Sequence, residues 1–146
     1  MKKVLLALTV AAVLCSSATA AIAATPAAYR AKVNAICAKG VAQLAAVPQP
    51  TTANGLLPYF QKLATLGDKL VLKIVAVTPP VSLQPAVGHA IDLQVAFQKG
   101  LHALVAKLRT SSNPKQTALA AAPKLTSLNN KANVAWRKAG LVKCSG

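Results

Sequence analysis

Few side chains in this sequence can do chemistry. Beyond residue 24, and apart from hydroxyls and amines, they are the histidines His89 and His102, the carboxylates Asp68 and Asp92, and the thiols Cys37 and Cys144. His89 and Asp92 stand three apart, a spacing that places both on one face of a helix. His102 lies about 15 Å further along the same helical stretch, too far to share a metal with them. If the two central helices form a hairpin about Pro80, position 68 comes level with position 92. Asp68, His89 and Asp92 would then form a small polar cluster, and with it a weak metal site. Each of these residues lies off the apolar stripe of its helix, so solvated groups beside Lys69, Lys73 or Lys99 are the stronger expectation.

Nucleophilic catalysis needs a nucleophile with a base in reach. No Ser sits in a Gly-x-Ser-x-Gly elbow, no glycine-rich loop could cradle phosphate, and no Cys-x-x-Cys is present. There is no Glu at all, and a chain with two Asp is short of general acids and bases. Tyr29 or Tyr59 beside a His has the formal makings of a haem ligand, but packing explains both better. The expectation is a protein without catalytic residues or cofactor.

The cysteines depend on how the chain begins. Met1-Lys2-Lys3 is followed by the apolar run Val4–Leu14 and then by small residues at Ala18-Thr19-Ala20 and Ala21-Ile22-Ala23. That order is a secretory signal peptide, with cleavage expected near Ala23 or Ala24. Cys15 follows Leu14, whereas a lipidated Cys follows a small residue. Retention of 1–24 as an anchor is the alternative, although Ser16, Ser17 and Thr19 dilute the second half of that stretch. Removal of the leader leaves Cys37 and Cys144 as the last two thiols. Outside the cytoplasm such a pair reads as one disulfide. Its loop of over a hundred residues is worth on the order of 4–5 kcal/mol in the chain-entropy account. Two inert buried thiols are the other reading.

Residues 25–146 then read as four helices. Thr25-Pro26 is a helix start, Thr as N-cap and Pro in the first turn. Tyr29, Val33, Ile36, Gly40, Leu44 and Val47 follow at threes and fours, until Pro48-Gln49-Pro50 stops the helix. A linker with an Asn54-Gly55 turn leads to a second helix beginning beside Pro58. Its stripe is Leu56, Phe60, Leu63, Gly67, Leu70, Ile74 and Val77, ended by Pro79-Pro80. Ser82 is the expected cap of the third helix, whose seam runs Leu83, Ala90, Phe97, Leu101, Leu104 and Leu108 with Gln94 interrupting it. Gly88 and Gly100 within it suggest close helix approach, since Gly costs about 1 kcal/mol against Ala in a helix. Asn113, Pro114 and Gln116 open the fourth helix, which carries Pro123 inside it and Trp136 near its end. Trp136, beside Arg137 and Lys138, reads either as an interfacial anchor or as the residue closing the core. Gly140 suits the position just past the helix.

Four such helices with short breaks predict an all-α, antiparallel up-and-down four-helix bundle. The tail then returns to the start of the first helix. Cys37 lies about eleven residues, roughly 16 Å, above that start. An extended Leu141–Cys144 covers most of that span, so bridge and topology support each other.

The segments Tyr29-Arg30-Ala31-Lys32-Val33-Asn34-Ala35-Ile36-Cys37 and Ala139-Gly140-Leu141-Val142-Lys143-Cys144-Ser145-Gly146 resemble a group of small exported bacterial helical proteins. That group shares a Tyr-x-x-x-Val-Asn-x-Ile-Cys opening and a Gly-Leu-x-x-Cys ending. The resemblance implies the paired cysteines and a helical fold, and it carries no activity with it.

Charge supplies the last constraint. The formal net charge is +15, and loss of Lys2 and Lys3 with the leader leaves about +13, which attracts anionic surfaces. The basic residues are spread over all four helices without interleaved aromatics, so no specific nucleic-acid partner is expected. Composition therefore predicts a secreted or envelope protein that binds anionic components such as acidic lipid or a phosphate polymer. The alternative is a carrier of a small ligand or metal in the bundle core.

Overall fold

A computed structural model describes residues 25–146, and the leader assigned to residues 1–24 lies outside the described residues. Among the described residues there are four α-helices and no strand: α1 (Pro26–Ala45), α2 (Leu56–Val75), α3 (Gln84–Thr110) and α4 (Pro114–Lys138). None of them is long and apolar enough to cross a membrane.

The helix starts follow the expected chemistry in part. Thr25 Oγ1 accepts from the Ala28 amide, with Pro26 in the first turn. Asn113 Oδ1 accepts from the Gln116 amide, while Ser111 Oγ accepts from the Asn113 amide. The two starts preceded by prolines differ. A 3-10 turn, Ala53–Gly55, leads into α2, and another, Val81–Leu83, leads into α3. Ser82 falls inside the second turn and does not cap α3. Pro80 is extended, so the chain must complete this extra turn before helix can begin. α4 runs as one helix across Pro123.

The helices pack as a strip before they pack as a bundle. α1 lies on α2, α2 on α3, and α3 on α4 along most of its length. α1 reaches α4 mainly through the chain that follows it. That chain is a C-terminal clasp. Gly140 takes φ +76°, which a residue with a Cβ adopts only with strain. Its amide donates to Arg137 O, and the Leu141 amide donates to Trp136 O. These two bonds form a Schellman turn, which sets the residue after the glycine against the last helical turn. Leu141 is fully buried and Trp136 almost so, together with Tyr29, Val33, Val87 and Ala139 in one core cluster.

α1 holds the clasp with side chains one turn apart. Arg30 Nε donates to Ala139 O at 3.1 Å. Asn34 Nδ2 donates to Gly140 O, and Asn34 Oδ1 accepts from the Lys143 amide at 3.0 Å. One turn further, Cys37 and Cys144 lie at disulfide distance, with Cα atoms 4.8 Å apart. Tyr29, Arg30, Val33, Asn34 and Cys37 thus form a single docking face. Tyr29 is buried with its hydroxyl unpartnered, and that burial pushes its phenol above its ordinary pKa of 10.0.

The third-helix glycines divide. A Cβ on Gly100 would sit 2.9 Å from Leu125, so α3 and α4 do approach closely there, whereas nothing lies within 4 Å of a Cβ on Gly88. Gly88 faces open space and contributes no close approach.

Two measurements check these points. Native protein should show no labelled thiol at Cys37 or Cys144 until it is reduced. Reduction should lower urea-unfolding stability by about 3–5 kcal/mol, the value for a loop of this length. Free labelling without reductant, or unchanged stability after reduction, would contradict the bridge. Separately, Gly88→Ala should stabilise by about 0.5–1 kcal/mol. Gly140→Ala should destabilise by about 1–2 kcal/mol through left-handed strain, with Arg30 as a further obstacle at the new Cβ. Thermal unfolding of both variants should move in opposite directions.

Candidate functional site

The clasp closes only one end of the bundle. Beyond Cys37, α1 and α4 are not packed on each other, and a cavity of about 390 Å³ lies between the four helices. That volume falls within the range of small-molecule sites. Its walls come from the stripes that the helical periodicity marks as core. α1 supplies Val41 and Leu44, α2 supplies Phe60, Leu63 and Leu70, and α3 supplies Phe97 and Leu101. Phe60, Leu63, Leu70 and Phe97 remain half-buried, because the space in front of them is not filled by a fourth wall of apolar side chains.

α4 explains the gap. The residues it presents to the cavity include Thr126, Asn129, Asn133 and Trp136, spaced at three and four on one helical face. Three of these four are polar, and a helix face of that kind gains little by closing on the alanine-rich α1. Trp136 is the exception. It is 1% exposed, and its indole Nε1 donates to Gln94 Oε1 at 3.2 Å. The interruption of the third-helix seam at Gln94 therefore has a cause: it receives the buried indole. Trp136 closes the core and is not an interfacial anchor.

Gln98 is a further polar residue in the cavity wall. It is 6% exposed, and its Oε1 has no hydrogen-bond partner. A Cβ on Gly67 would collide with the Gln98 carboxamide, so the glycine makes room for it. An unpaired carbonyl in such a place costs about 1–3 kcal/mol. No Lys, Arg, His or Asp lines the cavity; Cys37 and Cys144 form part of its wall at the clasp end. The site can enclose an apolar body and offer carboxamides to one uncharged polar group.

The ionisable candidates lie elsewhere. Asp68 does not meet His89 and Asp92. Its Oδ2 is 2.8 Å from His102 Nε2, on the exposed side of α2 and α3. Gly67, the residue before Asp68, packs on Gln98, one helical turn from His102. His89 and Asp92 are exposed. Among the described residues no three His, Cys, Asp or Glu side chains are grouped to hold a metal. The Asp68, His89 and Asp92 cluster considered from the sequence is therefore not assembled.

Sequence reasoning missed Gln98, Thr126, Asn129 and Asn133. A signal for them existed: amides at positions 94 and 98 on α3 and at 129 and 133 on α4 repeat at a spacing of four on inward faces. No family model matches this chain, and no curated protein or solved structure is significantly similar to it.

Proposed function

We propose that this is an exported, non-enzymatic binding protein whose bundle core carries a small, mostly apolar, uncharged molecule with one hydrogen-bonding group. The observation that carries this reading is the apolar cavity of about 390 Å³ between the four helices, with Gln94, Gln98, Asn129 and Asn133 in its wall. An apolar lining with a few polar groups is the make-up of a small-molecule site. No Lys, Arg or His lines the cavity, so an anionic ligand would be desolvated there without a basic side chain to pair with it. The cysteine pair, at disulfide distance, is compatible with an oxidising compartment, and the leader-like sequence of residues 1–24 supports export.

The test uses Trp136, the chain's single tryptophan, which lies in the cavity wall. Titration with octanamide, a neutral chain with an amide head, should change its emission saturably and raise the melting temperature. Val41→Phe, which puts a ring into the cavity from α1, should weaken both responses. Gln98→Leu should leave stability unchanged or raise it by about 1 kcal/mol, since an unpaired buried carbonyl is removed. It should also narrow the preference for octanamide over octane. Absence of any saturable response in the wild type, or an undiminished one in Val41→Phe, would overturn the reading.

A second reading concerns the exterior. Every Lys of residues 25–146 is exposed, and among the described residues the one contact between a side-chain carboxylate and a basic side chain is that of Asp68 with His102. We propose that this unneutralised surface associates with anionic envelope components through many weak contacts. Exposed charges are screened within about 8 Å at physiological ionic strength. Co-sedimentation with phosphatidylglycerol vesicles should therefore fall steeply with added salt, and Lys107→Gln or Lys124→Gln alone should change it by less than about twofold. Binding that ignores salt, or is lost with one substitution, would refute this account.

A further inference from the structure

A second concavity, of about 300 Å³, lies on the outer face between α1 and α2. α1 contributes Ile36, Lys39, Gly40 and Gln43, and α2 contributes Leu66, Lys69, Leu70 and Lys73. Both sets follow the i, i+3, i+4, i+7 spacing of a single helical face. The floor is apolar. Ile36, Leu66 and Leu70 are half-buried, and Gly40 is buried beneath Leu70, whose Cδ1 lies 2.5 Å from where a Cβ would stand. The rim is cationic, since Lys39, Lys69 and Lys73 are all exposed.

No carboxylate answers these three ammonium groups. Asp68 is next to Lys69 in the chain, but its carboxylate bonds His102 on α3, on another face of α2. Asp92 belongs to α3, and neither Asp lines the groove. Lysine stems cover apolar surface while their heads stay in water. The groove therefore offers an apolar floor with three exposed, unneutralised cations along its rim. An inorganic anion would use only the rim, and a neutral hydrocarbon only the floor. Gln43 adds a carboxamide that can donate to the same head group.

We propose that the α1–α2 groove binds a single-chain amphiphile with an anionic head. The head sits among Lys39, Lys69 and Lys73, and the chain lies against Ile36, Leu66 and Leu70. This site is separate from the central cavity, with Leu70 as the wall the two share. It also differs from the diffuse exterior, because three particular lysines carry it.

The experiment is a titration of the full mature protein with octanoate, read by NMR at lysine ammonium and leucine methyl resonances. Octanoate should shift Lys39, Lys69, Lys73, Leu66 and Leu70 saturably. Octanamide, with the same chain and no charge, and inorganic phosphate, with charge and no chain, should each bind this groove on the order of tenfold more weakly. The triple variant Lys39→Gln, Lys69→Gln and Lys73→Gln should weaken octanoate on the order of tenfold. Lys99→Gln, Lys115→Gln and Lys131→Gln together make the same change in net charge at exposed positions outside the groove, and should change affinity by no more than about twofold. Equal loss in both triple variants would overturn the proposal in favour of diffuse attraction. Phosphate binding as tight as octanoate would overturn the amphiphile, leaving a bare anion site. Octanoate shifts that gather at Trp136 instead would place it in the central cavity and overturn the groove. Failure of octanamide to perturb Trp136 bears only on the cavity reading, so the two sites fail separately.

Discussion

The clasp at Gly140–Cys144 is the constraint on which the rest of the molecule depends. α1 would otherwise be held by α2 alone along one side. The Schellman turn forces the chain to reverse at the end of α4 and drives Leu141 into the cluster around Trp136 and Tyr29. Arg30 and Asn34 then satisfy Ala139 O, Gly140 O and the Lys143 amide, groups that would otherwise be left without helical partners. The cysteine pair fixes the end of that path. Each contact makes the next one easier to form, because the chain between them is short and already turned.

Closing the bundle at one end only has a structural consequence at the other. The apolar stripe of α2 points into the bundle over its full length, but α4 answers it with Trp136 near the clasp and with Asn133, Asn129 and Thr126 further away. Carboxamides do not zip onto an alanine-rich helix, so α1 and α4 part and a cavity remains. Close packing persists where small residues allow it, at Gly40 under Leu70, Gly67 under Gln98 and Gly100 beside Leu125. The cavity is thus a product of where the polar residues fall on α4.

Charge is distributed in keeping with this division. No Lys, Arg, His or Asp side chain stands in the cavity wall. The ammonium groups all stand outside, almost without carboxylates to neutralise them. Ion pairs on the surface contribute little to stability in any case. The fold therefore rests on apolar burial, the clasp hydrogen bonds and the cysteine pair. The surface charge is left almost without carboxylate partners, at the α1–α2 groove as elsewhere.

Much of the fold was legible in local residue patterns. Thr25-Pro26, Asn113-Pro114 and Gly140 mark helix ends through caps whose chemistry acts within a few residues, and the three-and-four spacing of apolar residues gives the helix faces. The Cys37 and Cys144 pairing could be argued from number and topology. The position of Asp68 could not, since its contact with His102 depends on how α2 and α3 pack on each other and not on spacing within either helix. Nor could the cavity, because the same stripe of Phe60, Leu63 and Leu70 is required whether it is covered or not. Periodicity determines which face of a helix is apolar, a property of one chain segment. Whether that face is buried is decided by the helix opposite, and only the tertiary structure brings α4's amides to that place.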